Sequence, residues 1–169
     1  MPRKKSVSIN PAILPFLYLC TLILVSSCSR ESSSGKPFRI VVISNNNSLA
    51  YSEEVVLTDS LVQMTFNGGL VRERSRIIWR GPINRAFSDS FTSFLDREPW
   101  DSLKRFYSDS TIQDGMQFYF EIKYGNRADT AQLNNVWVPS LLKLTQLVNT
   151  TLPDSLKFNL HIPGKFSAP

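Results

Sequence analysis

The order of patterns along the chain predicts an α+β domain, a mostly antiparallel sheet of about six to seven strands with two to three helices on one face. Three observations predict it. Apolar residues alternate with period two in runs joined by hairpin signals. Between Phe87 and Tyr107, and again after Pro139, the spacing changes to that of a helix. No β-α-β alternation persists, so a parallel doubly wound sheet is not expected.

The elements follow in order. Phe38 to Ser44 (FRIVVIS) is a short β-branched run and reads as a buried strand ended by Asn45, Asn46 and Asn47. Glu54 to Thr58 and Leu61 to Phe66 flank Asp59-Ser60 as a hairpin, with Val62, Met64 and Phe66 on one face. Asn67-Gly68-Gly69 is a turn signal, and Leu70 to Arg80 reads as a further strand stopped by Gly81-Pro82. Phe87, Phe91, Phe94 and Leu95 make the apolar stripe of a helix. Pro99 suits the first turn of a second helix with Trp100, Leu103, Phe106 and Tyr107 inward. Met116 to Tyr124 alternates strictly. A hairpin turn at Gly125-Asn126 would set Phe120 opposite Ala131 and Phe118 opposite Leu133. Pro139 opens a helix to Asn149, and Leu156, Phe158, Leu160 and Ile162 read as a closing strand. The folded domain is expected over 38–162, with 163–169 as a C-terminal tail.

Residues 1–27 stand apart from that fold. Arg3, Lys4 and Lys5 make a positive start, and Pro11 to Val25 form an apolar run interrupted by Pro15. The run is shorter than the ~20 apolar residues of a bilayer span. Small residues follow, the layout of an export signal. The segment Val25-Ser26-Ser27-Cys28 resembles the lipobox of bacterial lipoproteins: a branched apolar residue, two small residues, then Cys. It sits where the apolar run ends and covers, with the leader, about a sixth of the chain. The resemblance implies signal-peptidase recognition of Val25, Ser26 and Ser27, cleavage before Cys28, and acyl chains on the Cys28 sulfur and often on its new amine. Each buried methylene adds ~0.8 kcal/mol, so two chains anchor stably where one is marginal. Residues 28–37 are then a Ser- and Gly-rich tether with a reach of roughly 15–20 Å.

Removing the leader changes the meaning of the composition. The whole chain carries +5, but three of its 19 basic residues lie in the leader, which has no acid. The remainder holds 16 basic and 14 acidic residues, about +2, so the high isoelectric point gives no support for nucleic-acid binding. The two cysteines are Cys20, inside the apolar run, and Cys28. The sequence beyond Cys28 therefore has no disulfide, thiol nucleophile or thiolate metal site.

Few residues point to chemistry. His161 is the one histidine and lacks partners for zinc or a triad. Asp114-Gly115 with Glu121 misses a calcium loop, because Ile112 would occupy a ligand position. Phosphate-loop, HExxH and GxSxG motifs do not occur, and no metal or cofactor is expected. The strongest surface signal is Arg72, Arg74, Arg76 and Arg80, which a regular strand would place on one face as an anion-binding ridge. An edge strand guarded by charge explains the same pattern.

Six of eight Asp precede Ser or Thr, although Ser and Thr make up only 31 of 169 residues and chance would give about 1.5. Asp59-Ser60-Leu61, Asp101-Ser102-Leu103, Asp109-Ser110-Thr111, Asp129-Thr130-Ala131 and Asp154-Ser155-Leu156 resemble the acceptor motif of a general O-glycosylation system of some Gram-negative envelopes. That resemblance implies Ser60, Ser102, Ser110, Thr130 and Ser155 as acceptors. Turn and helix-cap chemistry favours the same pairs.

Three functional classes remain open. The leading one is a non-enzymatic binding or structural lipoprotein held at the envelope, at the outer membrane before the inner, through its lipid and an envelope ligand or protein. A hydrolase of envelope polymers would need a polar pocket with paired acids. An inhibitor or immunity-type protein would present a protruding loop, for which Ser44 to Ser52 is the candidate.

Overall fold

The computed structural model describes residues 36–46, 51–68, 73–111 and 117–160, all within one compact unit, Gly35–Pro169. Among them run β1 (Phe38–Asn46), β2 (Tyr51–Thr58), β3 (Leu61–Gly68) and β4 (Arg76–Pro82), then helix α1 (Arg85–Arg97) and a 3-10 turn at Trp100–Ser102. β5 (Phe106–Ser108), β6 (Gln117–Tyr124), β7 (Arg127–Asn134), helix α2 (Pro139–Asn149) and a second 3-10 turn (Asp154–Leu156) complete the order. The strands form one seven-stranded sheet in the order β4-β3-β2-β1-β6-β7-β5. Every pairing is antiparallel except that of β5 with β7. The α+β class expected from the sequence is the class observed.

Alternation gives the sheet two unlike faces. The first carries Phe38, Ile40 and Val42 of β1, Val55 and Leu57 of β2, Val62 and Met64 of β3, and Phe118, Phe120 and Ile122 of β6, all buried. They share one hydrophobic cluster with Phe91, Phe94 and Leu95 of α1 and Leu141, Leu144 and Val148 of α2. Aromatic contacts tie helix to strand, with Phe38 and Phe91 ring centres 5.0 Å apart and Phe118 and Trp137 4.8 Å apart.

Local chemistry sets the boundaries. Asn84 caps α1 by accepting the Phe87 N–H at 2.8 Å. Glu98, extended because Pro99 follows, ends it. α2 begins on Pro139 in its first turn, where no N–H is needed. The β6–β7 hairpin has the expected register, Phe120 opposite Ala131 and Phe118 opposite Leu133. Gly125, at φ 56°, supplies the positive φ that its first turn position requires.

Three expectations are corrected. No α-helix spans Pro99 to Tyr107. Trp100 is buried in a 3-10 turn, its Nε1 donating to the Leu95 carbonyl at 2.8 Å, and the chain then extends into β5. Phe106 is 54% exposed whereas Tyr107 is buried, the alternation of a strand rather than a helical stripe. No closing strand runs from Leu156 to Leu160: Asp154–Leu156 is the 3-10 turn and 157–160 has no regular structure. There the backbone of Phe158 bonds to the side chain of Asn149, its N–H donating at 2.9 Å and its carbonyl accepting at 3.0 Å. Finally, β4 begins at Arg76 and includes Gly81 and Pro82, a proline tolerated because β4 is the sheet's edge.

Candidate binding surfaces

The second face of the sheet is half-exposed over most of its area. Across β2, β1 and β6 its paired rows read Thr58–Arg39–Lys123, Val56–Val41–Glu121, Glu54–Ile43–Tyr119 and Ser52–Asn45–Gln117. Its middle is therefore apolar. Val41 is only 4% exposed, and Ile43, Val56 and Tyr119 around it are half-buried. Further along the third row, beyond Thr65 of β3, Ile77 is 53% exposed. Charge lies around this strip and is largely paired within the chain. Glu121 meets Lys123 at 2.5 Å and Arg39 at 3.5 Å, and these cations, Lys123 first, hold its carboxyl below the usual range. Arg80 donates to the Gln63 side-chain oxygen, with its Nε at 3.1 Å. An apolar centre within a polar surround is the anatomy of a protein interface. The run FRIVVIS already signals it, since apolar residues occupy both parities of β1.

A hollow of about 560 Å³ lies where the chain enters β1, lined by Lys36, Pro37, Asp96, Tyr124, Gly125, Asn126 and Arg127. The Lys36 ammonium bonds to Asp96 at 3.0 Å and sits 5.0 Å from the centre of the Tyr124 ring, while the Gly125 N–H donates to the Pro37 carbonyl at 3.0 Å. The Tyr124 hydroxyl is buried beside the Asp96 carboxylate without regular hydrogen-bond geometry. Burial, then that carboxylate, pushes its pKa up to about 12. The Tyr124 hydroxyl and then Lys36 hold Asp96 below its ordinary value. The polar groups of this hollow are thus largely engaged with one another, which suits a clamp on the start of β1.

The arginine ridge expected of Arg72, Arg74, Arg76 and Arg80 does not form as one face. Met64 pairs with Trp79 but Thr65 pairs with Ile77, so Ile78 is the extra residue of a β-bulge. One inserted residue flips every position beyond it. Arg76 consequently pairs with Phe66 on the first face and rests 5.5 Å from the centre of that ring, while Arg80 pairs with Gln63 on the second. Arg74 is exposed but precedes the strand, and Arg72 lies outside the described residues.

The five candidate acceptor hydroxyls are all exposed. Ser60 lies between β2 and β3, and Ser102 and Ser155 lie in the two 3-10 turns. Ser110 follows β5, and Thr130 is in β7 opposite Glu121. Val25, Ser26, Ser27, Cys28 and His161 lie outside the described residues; of the loop expected over Ser44 to Ser52, Ser44, Asn45 and Asn46 are strand β1, Tyr51 and Ser52 are β2 paired with it, and 47–50 lie outside the described residues. Among the described residues, no cluster of three or more His, Cys, Asp or Glu side chains could hold a metal ion. No helix among them is long and apolar enough to cross a membrane. The chain matches no family model and no curated protein with which it was compared.

Proposed function

We propose that this chain is an envelope lipoprotein, acylated at Cys28, whose domain is a non-enzymatic binding module presenting the second face of its sheet. The observation that carries the binding half is the apolar strip of Val41, Ile43, Val56 and Tyr119 within a polar surround. Ile43, Val56 and Tyr119 are only half-buried, so the strip can be reached from solvent. The lipobox-like leader supports the anchor, and this reading takes the outer membrane before the inner. In this reading α1 and α2 both cover the first face, whose residues share one cluster with theirs, so the second face stays available. The exposure of Ser60, Ser102, Ser110, Thr130 and Ser155 favours a second feature, glycosylation at one or more of them.

Metabolic labelling with an alkyne fatty acid tests the anchor. Wild type should take the label and fractionate with membranes, and Cys28→Ser should do neither; label retained by the variant removes the lipid assignment.

A further inference from the structure

We infer that the second face packs against the same face of a second copy of this chain, sheet on sheet. This rests on the reading of that face as the binding surface. Size is the first argument. Six strands ~4.8 Å apart and four rows ~6.7 Å apart cover roughly 750 Å². A stable pair of standard size buries ~800 Å² on each partner. The face from β4 to β7 thus provides what a dimer needs without help from the helices.

Charge is the second argument. The face carries both signs, Arg39, Arg80 and Lys123 against Glu54 and Glu121, and most of these charges are engaged within the chain. A surface made for a charged partner concentrates one sign. A surface that is nearly neutral and internally paired meets its own copy without repulsion, as an isologous contact demands.

Packing is the third. Two sheets pack ~10 Å apart when their facing side chains interdigitate, with strand directions crossing by about 30°. Val41, Val56 and Ile43 form a low, β-branched centre for such packing, and Tyr119 beside them is of a type favoured as an anchor at interface centres. Anchoring both copies in one membrane would align and concentrate them.

The test uses the full chain in its membrane. Tyr119 is replaced by the photo-crosslinker p-benzoylphenylalanine, and two differently tagged versions are expressed together. Illumination should give a product of twice the chain mass carrying both tags. The same crosslinker at Ser155, which lies off this face, should not. Val56→Arg, and separately Thr65→Arg, should reduce the product at least tenfold while the chain keeps its resistance to protease. A Tyr119 crosslink to a different protein overturns the second copy but keeps the face as a binding surface. Absence of any Tyr119 product overturns both. A double-mass product undiminished in either folded arginine variant places the contact elsewhere and overturns the inference.

Discussion

A phenol buried beside a carboxylate resists ionisation, because the phenolate would lose hydration and meet a like charge. Tyr124 is in that position, with a pKa pushed up to about 12. The folded state therefore holds its proton more tightly than the unfolded chain. The stability that follows is complete below the ordinary tyrosine value of 10.0 and is lost as pH rises through about 12. Asp96 works at the other end of the scale. Its carboxyl is lowered, so its contribution is present above the ordinary value of 3.8 and fades as pH falls below it. A spectrophotometric titration should show one tyrosine ionising near pH 12, and Tyr124→Phe should delete that step. A titration without a step near pH 12 that Tyr124→Phe removes overturns the buried placement of Tyr124 beside Asp96. The sequence offered no sign of this site. Lys36 and Asp96 lie 60 residues apart, and no short motif spans such a distance. The bulge at Ile78 was equally silent, although it decides which face each arginine takes.

Elements with local partners were legible, and elements defined by distant ones were not. The β6–β7 hairpin could be registered residue by residue because its turn and its alternation sit within one stretch of chain. α2 could be bounded because Pro139 opens it and its stripe repeats. By contrast, Trp100 to Tyr107 satisfies a helical template over so few residues that a buried anchor followed by a strand fits as well. There β7 supplied the deciding contact, Gln132 N–H donating to the Arg105 carbonyl at 2.9 Å. Leu156 to Leu160 misled in the same way, since alternation was present but the hydrogen-bonding partner was a side chain. Asn149 is buried and serves both backbone groups of Phe158. Asn149→Ala strands two buried groups, so the expected loss is roughly 2–6 kcal/mol at ~1–3 kcal/mol for each. Urea unfolding measures it. A loss below about 0.5 kcal/mol, the size of an ordinary surface change, means that the segment after α2 contributes no such anchor.

At the scale of the whole molecule, stability has to come from packing. No cysteine follows Cys28, and the buried first face, the helical stripes, Trp100 and Phe158 gather into one cluster. The Gly35–Pro169 unit should therefore fold alone. Its thermal melts should coincide with and without reductant and with and without chelator. A melt that chelator lowers points to a metal held by residues outside the described set. The same melts bear on the sheet-to-sheet contact. Association that requires the folded state stabilises it by mass action, so a dimer's melting temperature rises with chain concentration, whereas a monomer's does not. Wild type should show that rise. Val56→Arg should flatten it, because a long guanidinium side chain set among Val41, Ile43 and Tyr119 props the two faces apart and has to shed water on association. The variant should lose little in dilute solution, where Val56 is half-exposed and the arginine remains hydrated. Concentration-independent melting of wild type, over a range in which a standard-sized interface would associate, leaves the second face to a different partner.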